Sequence, residues 1–249
     1  MWHSDDKFWK SFGPRMFSER RWADTAGEVD SILKLLAPGL GAAVLDLCCG
    51  PGRHALEMSR RGFAVVGVDR TAGYLAEARK RAKAEGLKVE FVKQDMRRFC
   101  RPRAFDAAVN MYTSFGYFKN AGDDRRVLRN LHRSLKPGGK LLMELMGKEV
   151  LARVFRERNW HEERGVLFLQ EAKISQGWSW IENRWIMIKG SRRTEFVVSH
   201  RLYSARELSD LLRASGFEKV RVYGDLSGAA YDQNAKRLVI VARKAKNSD

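Results

Sequence analysis

Between Ala42 and Met146 the chain alternates short apolar runs with stretches of helical period, and no other feature restricts its fold so tightly. The segments AAVLDLC (42–48), FAVVGVD (63–69), KVEFVKQD (88–95), FDAAVNMY (105–112) and KLLMELM (140–146) each read as a buried strand. Helices are predicted between them, from about His54 to Arg61, over 72–84 and over 123–135. Gly62, Gly86 and Pro137-Gly138-Gly139 end these three helices. A further helix at 26–37 puts Val29, Ile32, Leu33 and Leu36 on one face and stops at Pro38-Gly39. Successive strands joined by helices run parallel, because each helical crossover returns the chain to the same starting end. The fold class is therefore α/β, with helices on both faces of a mostly parallel sheet.

After Gly147 the pattern changes. Residues 166–175, 178–189 and 193–203 read as strands separated only by the turns Gln176-Gly177 and Gly190-Ser191, which predicts an antiparallel β-meander. SARE (204–207) has the form of a capping box and opens a helix running to about Ser215. FEKVRVYG (217–224) and RLVIVARK (237–244) are the last two strands.

The net charge of +17 is concentrated after residue 40, in the runs Arg60-Arg61, RKRAK (79–83), RRFCRPR (97–103), Arg125-Arg126 and Arg192-Arg193. Such runs suit either a nucleic-acid footprint or solvated helix faces. They lack the interleaved aromatics of a single-strand platform, so solvated faces are the favoured reading. No apolar run approaches the roughly 18 residues of a membrane span, and MWHSDDKFWK has no apolar core of a secretory signal. Cys48, Cys49 and Cys100 have neither disulfide-framework nor zinc spacing, so no metal is expected and a reducing, cytoplasmic compartment is.

The segment DLCCGPGRHA (46–55) joins the first strand to the first helix that follows it. Gly50 and Gly52 let the backbone turn and approach a ligand, and the helix start offers free N–H groups. Asp69 ends the next strand, where a carboxylate can accept from both ribose hydroxyls of an adenosine. Gly50-x-Gly52-x-x-Ala55 also satisfies the dinucleotide fingerprint, which admits an NAD(P) oxidoreductase. Against that, the carboxylate of Asp46 would face a pyrophosphate unfavourably but would suit a cationic ligand. Cys48 and Cys49 also put side chains on the turn.

From about Val44 to Lys244 the chain resembles the class I S-adenosylmethionine-dependent methyltransferases. The resemblance rests on Asp46 opening the loop, Gly50-Pro51-Gly52, Asp69 ending the second strand and Asp95-Met96 after the third. It continues through Asn110 in FDAAVNMYTSFGYF (105–118), LKPGGKLLMEL (135–145) and the closing strand pair in 217–244. It implies a Rossmann-like sheet of seven strands, the last antiparallel, with the meander inserted after the fifth. It also implies S-adenosylmethionine as cofactor, held by Asp46, Gly50, Gly52, Asp69, Arg70, Asp95, Met96 and Asn110. The implied division is an N-terminal helical lid (1–40), a cofactor-binding core (41–147), a meander cap (148–203) and completion of the core sheet (204–249).

Direct displacement from a sulfonium needs alignment more than acid catalysis, so no catalytic residue is assigned. Neither an NPPY-type tetrapeptide nor a cysteine follows the fourth strand, which weakens an RNA or DNA methylase reading. A small-molecule acceptor is the main expectation, with an RNA or protein methyltransferase as the alternative. A protein that binds the cofactor without catalysis is a further one. Tyr112, Ser114, Phe115, Tyr117, Tyr223 and Tyr231 are acceptor candidates, because ligands of open parallel sheets lie beyond the strand C-termini. Loop 225–235 is expected to reach the same face. Trp2, Phe8, Trp9, Phe12, Phe17 and Trp22 crowd the first 22 residues and suggest a lid over the cleft, or packing on a sheet edge or in a homodimer. Trp178, Trp180 and Trp185 mark the meander as a second cap or an interface. His54 reads as structural, His132 as exposed, and His200 as a candidate base near the cleft.

Overall fold

In the computed structural model, which describes residues 1–246, a 3-10 turn at Trp2–Ser4 leads into α1 (Asp6–Met16), α2 (Glu19–Ala23) and α3 (Thr25–Leu36). The alternating region then follows as β1 (Ala43–Leu47), α4 (Arg53–Arg60), β2 (Ala64–Asp69), α5 (Ala72–Ala84) and β3 (Val89–Lys93). It continues through β4 (Phe105–Asn110), α6 (Ala121–Ser134) and β5 (Leu135–Leu145). After α7 (Lys148–Val154) come β6 (Arg158–Glu163), β7 (Val166–Ser175), β8 (Trp180–Lys189) and β9 (Arg192–Arg201). The chain closes with α8 (Ala205–Ala214), β10 (Phe217–Tyr223) and β11 (Leu238–Lys244).

Seven strands form one sheet in the order β10-β11-β5-β4-β1-β2-β3. β11 alone runs antiparallel to its neighbours β5 and β10, and the others are parallel, giving the expected Rossmann-like arrangement. Its apolar runs are continuous because both faces are covered. Leu141, Met143 and Ile240 enter one buried layer with α6 and α8, while their chain neighbours Leu142 and Val241 enter the other with α3, α4 and α5.

Three local expectations change. The meander has four strands, β6-β7-β8-β9, with α7 leading into it. β6 (RNWHEE) is a mostly exposed edge strand, so it carries no buried alternation for a pattern to show. Pro137-Gly138-Gly139 lies inside β5, where it shifts the pairing with β4 between Phe105↔Leu135 and Ala107↔Lys140. His132 is half-buried, its ring edge-on to Phe217. The capping box at Ser204 and Glu207 is formed as expected.

Several arginines of the basic runs are paired with carboxylates. Arg60 pairs with Glu57 and Glu85, Arg61 with Glu57 and Asp30, and Arg97 with Asp95 and Asp123. Among the described residues, no helix is long and apolar enough to cross a membrane.

The N-terminal segment is wedged between the two sheets. Phe8 and Phe12 of α1 are buried against Trp185, Phe196 and Val198 of the meander, and Trp2 Nε1 donates to Ser199 O at 2.7 Å. On the other side, four core side chains donate to its carbonyls. They are Arg70 to His3 O (3.1 Å), Tyr74 to Trp9 O (2.9 Å), Arg61 to Ala26 O (2.8 Å) and Arg53 to Arg21 O.

Candidate active site

A cavity of about 360 Å3 opens at the C-terminal ends of β1, β2 and β4, with the N-terminal segment and the meander over it. That volume is in the range of small-molecule sites. The β1–α4 turn supplies its floor. Gly50 adopts φ +55° there, and the ring of Phe17 lies so close that an added Cβ would sit 2.8 Å from Cζ. Asp69 fastens the turn from β2, accepting from Gly50 N at 3.0 Å with one carboxylate oxygen and from Thr71 N at 2.8 Å with the other. Burial raises Asp69, and these two amides partly offset it.

Asp46, at the end of β1, is 2% exposed, and its Oδ2 has no hydrogen-bond partner among the described residues. Burial raises its carboxyl to about 6, with His54 and Arg53 opposing the shift and Asp69 adding to it. A buried carboxylate oxygen left without a donor at a cavity floor is suited to an incoming cation. Asp95 and Met96 line the β3 side, where Arg97 clamps Asp95 at 2.6 Å.

Of the predicted cofactor residues, Asp46, Gly50, Asp69, Arg70, Asp95 and Met96 line this cavity, and Gly52 and Asn110 do not. Gly52 lies beneath the turn against Ala78 and Phe91, so its small size serves the packing of α4 on the sheet. Asn110 is fully buried behind the wall and donates from Nδ2 to Leu47 O and Ser114 O, holding the ends of β1 and β4 together. Of the acceptor candidates, Tyr112, Ser114 and Tyr117 line the cavity. Phe115 turns into the core against Tyr203. Tyr231 packs on Gly147 and donates to Glu149, and Tyr223 joins the apolar layer under α3. Loop 225–235 therefore does not reach the cavity, and only Arg237 beyond it does, paired with Glu144 and donating to Thr113.

Glu28, Arg53 and His3, in and beside the cavity wall, had no sequence signal. Glu28 of α3 accepts from Tyr112 and His54, and Arg53, 3% exposed, reaches the same carboxylate at 3.2 Å. Burial alone would raise Glu28, but the hydrogen bonds from His54 and Tyr112 and the charge of Arg53 outweigh it and hold it at about 2. Tyr112 and Thr113 both stand at φ +57°, a strained region for side-chain-bearing residues. His3 stacks on Tyr117, and burial, with Arg97, lowers it to about 4. Cys48 and Cys49 are both pushed up by burial and by the carboxylates beside them, so neither is a poised thiolate.

Residues 44–139 match the family model for the methyltransferase domain. The chain therefore carries a methyltransferase domain over these residues. A putative methyltransferase of Bacillus subtilis, YqeM, is 27% identical over 82% of this chain and 84% of its own length. The demethylmenaquinone methyltransferase of Thermus thermophilus is 38% identical over 53% of this chain and 56% of its own. An S-adenosylmethionine-dependent methyltransferase from Clostridium acetobutylicum shares the fold, with a TM-score of 0.80, 16% identity and coverage of 96% and 98% of the two chains. The orphaned Asp46 oxygen and the cradle at Gly50 fit an S-adenosylmethionine cofactor.

Proposed function

We propose that this methyltransferase acts on a small molecule held between the N-terminal lid and the meander. The observation that carries the reading is the closure of one cavity by aromatic side chains from both. Trp2, Phe8, Trp9 and Phe17 come from the lid and Trp185 from the meander, facing Tyr112 and Tyr117 of the core. A roof of this kind excludes water and leaves room for a compact acceptor, not for a strand of nucleic acid. The name of the Thermus thermophilus relative likewise gives a small molecule, demethylmenaquinone, as its substrate.

In this reading residues 41–147 and 204–246 form the cofactor unit, with 1–40 as lid and 148–203 as cap; residues 247–249 lie outside the described residues. Asp46 takes the ammonium of the cofactor's amino-acid end, Asp69 the ribose hydroxyls, and Asp95 with Met96 the adenine. Arg70 anchors the lid at His3 O beside them. When bound, the cofactor supplies an electrophilic methyl on a good leaving group, so the chain's work is alignment and exclusion of water. Tyr112, Ser114 and Tyr117 border the space left for the acceptor. Free Cys48, Cys49 and Cys100 accord with a cytoplasmic setting.

The test is a screen with labelled methyl donor against a metabolite panel, run beside total RNA and protein extracts. Transfer to a small molecule supports the reading, and label appearing only in RNA or protein overturns it.

A further inference from the structure

One titratable side chain on the cavity wall has a fixed orientation that the alignment role of the core does not use. His200 lies near the end of β9 and lines the cavity. Its Nδ1 is 3.1 Å from the carbonyl of Arg201 and can only donate there. That fixes the proton on Nδ1 and leaves Nε2 as a lone pair. Among the described residues Nε2 makes no hydrogen bond, and the ring belongs to the cavity lining.

A second polar group shares the same face of the sheet. β8 and β9 pair as Ile181↔His200 and Asn183↔Val198, so Asn183 and His200 are diagonal neighbours on the face that bears Trp185 and Val198. The Asn183 side chain is oriented too. Its Oδ1 accepts from Gln170 Nε2 at 2.8 Å, which leaves the Nδ2 donor for the cavity. The wall therefore offers one oriented acceptor and one oriented donor within an apolar surround.

The elements packed on this end of β9 bring few charges to His200. The N-terminal turn contributes His3, the segment after β4 contributes Tyr117, and Arg201 directs its guanidinium away to Asp124 at 3.2 Å. No carboxylate lines the cavity from the meander, since its acids Asp46, Asp69 and Asp95 all belong to the core strands and their loops. A protonated amine would find no counter-charge at this wall. A neutral hydroxyl needs none, but must lose its proton as it attacks.

We propose that the acceptor is a neutral hydroxyl compound with a second oxygen nearby, methylated on oxygen, with His200 Nε2 as the general base and Asn183 Nδ2 holding the second oxygen. This deepens the small-molecule reading and rests on it. The hydroxyl oxygen forms the new carbon–oxygen bond while the carbon–sulfur bond breaks, its electron pair remaining on sulfur. The hydroxyl proton passes to Nε2, and the imidazolium keeps its Nδ1–H on the Arg201 carbonyl until solvent removes the Nε2 proton. Burial holds His200 below its ordinary value, so it is neutral and able to accept at pH 7.

Two measurements test this. Nitrogen-15 NMR of the full chain, without cofactor, reads the tautomer directly: an Nδ1–H, unprotonated-Nε2 signal that is lost in His200→Gln is expected. An Nε2–H tautomer overturns the proposal whatever the acceptor. A panel of catechols, hydroxyquinols and sugar diols, each beside its amine analogue, is then assayed with labelled donor. Transfer to a hydroxyl member is expected, falling about 10²-fold or more in kcat at pH 7 in His200→Gln. The loss should shrink as pH rises and the acceptor ionises by itself, while calorimetric affinity for S-adenosylhomocysteine stays unchanged. His200→Ala should regain activity with added imidazole, which separates lost chemistry from lost folding. Transfer only to amines, undiminished in His200→Gln, overturns the proposal and keeps the small-molecule reading. No transfer to any small molecule, with label in RNA or protein, removes the small-molecule reading as well.

Discussion

Replacing Asp46 by Asn separates two effects carried by one side chain. Burial lifts this carboxyl from 3.8 to about 6, so ionising it in the empty protein costs about 3 kcal/mol. The folded chain then binds more protons than the unfolded chain between those two values. Its stability accordingly falls as pH rises through the window and is flat above it. Asn keeps the shape without the charge. The empty variant should match the parent near pH 4 and exceed it near pH 8, by up to about 3 kcal/mol or several degrees in Tm. Binding should move the other way. The parent's affinity for S-adenosylhomocysteine should rise with pH to about 6 as the carboxylate forms. The variant should bind about 10- to 100-fold more weakly at pH 8, the worth of one charge-assisted hydrogen bond of about 1.5–3 kcal/mol. Urea unfolding at pH 4 and pH 8 and calorimetry between pH 5 and pH 8 check both. A variant that is less stable than the parent at pH 8, or that binds the ligand with unchanged affinity, would refute the argument.

Asp69→Ala should weaken S-adenosylhomocysteine by at least tenfold, because the proposed ribose acceptor is lost and Gly50 N and Thr71 N lose theirs; calorimetry checks this. Gly50→Ala places a methyl 2.8 Å from Phe17 at a left-handed φ, and should loosen the lid by about 1–3 kcal/mol, seen as faster hydrogen exchange over residues 6–17. His3 stays neutral to about pH 4 when folded, whereas the open segment takes its proton near 6.5. Lid stability therefore drops as pH falls from 6.5 to 4, and Trp2 and Trp9 emission should shift toward that of exposed tryptophan, with the shift absent in His3→Gln. Lys80→Glu with Lys83→Glu, two exposed positions of α5 outside the cavity, should leave turnover within a few-fold in a steady-state assay; a collapse with the fold intact would reopen a nucleic-acid role.

What could be read from the sequence follows from how local each signal is. The core sheet was legible because its strands are buried on both faces and its helices carry one apolar side, so the period appears within each segment. β6 was not, since an exposed edge strand such as RNWHEE needs no alternation. In the site, Asp46, Gly50 and Asp69 were legible because the turn between β1 and α4 fixes the first two and the end of β2 fixes the third. Phe115 and Tyr231 were not distinguished from Tyr112 and Tyr117, because residue type does not state which way a ring turns. The Glu28–Arg53–His54–Tyr112 cluster joins residues up to 84 positions apart, and no spacing announces it. His3 lay inside the aromatic N-terminal segment, where only the folded position of Tyr117 gives it meaning.

The four donors that grip the N-terminal segment (Arg53, Arg61, Arg70 and Tyr74) all fall within the residues matched by the methyltransferase-domain model, and the four carbonyls they hold all lie before it. A carbonyl is the same on every amino acid. These four bonds therefore persist when a roof side chain that faces the cavity is exchanged, although Phe8, Phe12 and Glu28 fasten the roof through their side chains as well. The part of the fastening that runs through the backbone is thus indifferent to which side chains the roof turns toward the cavity.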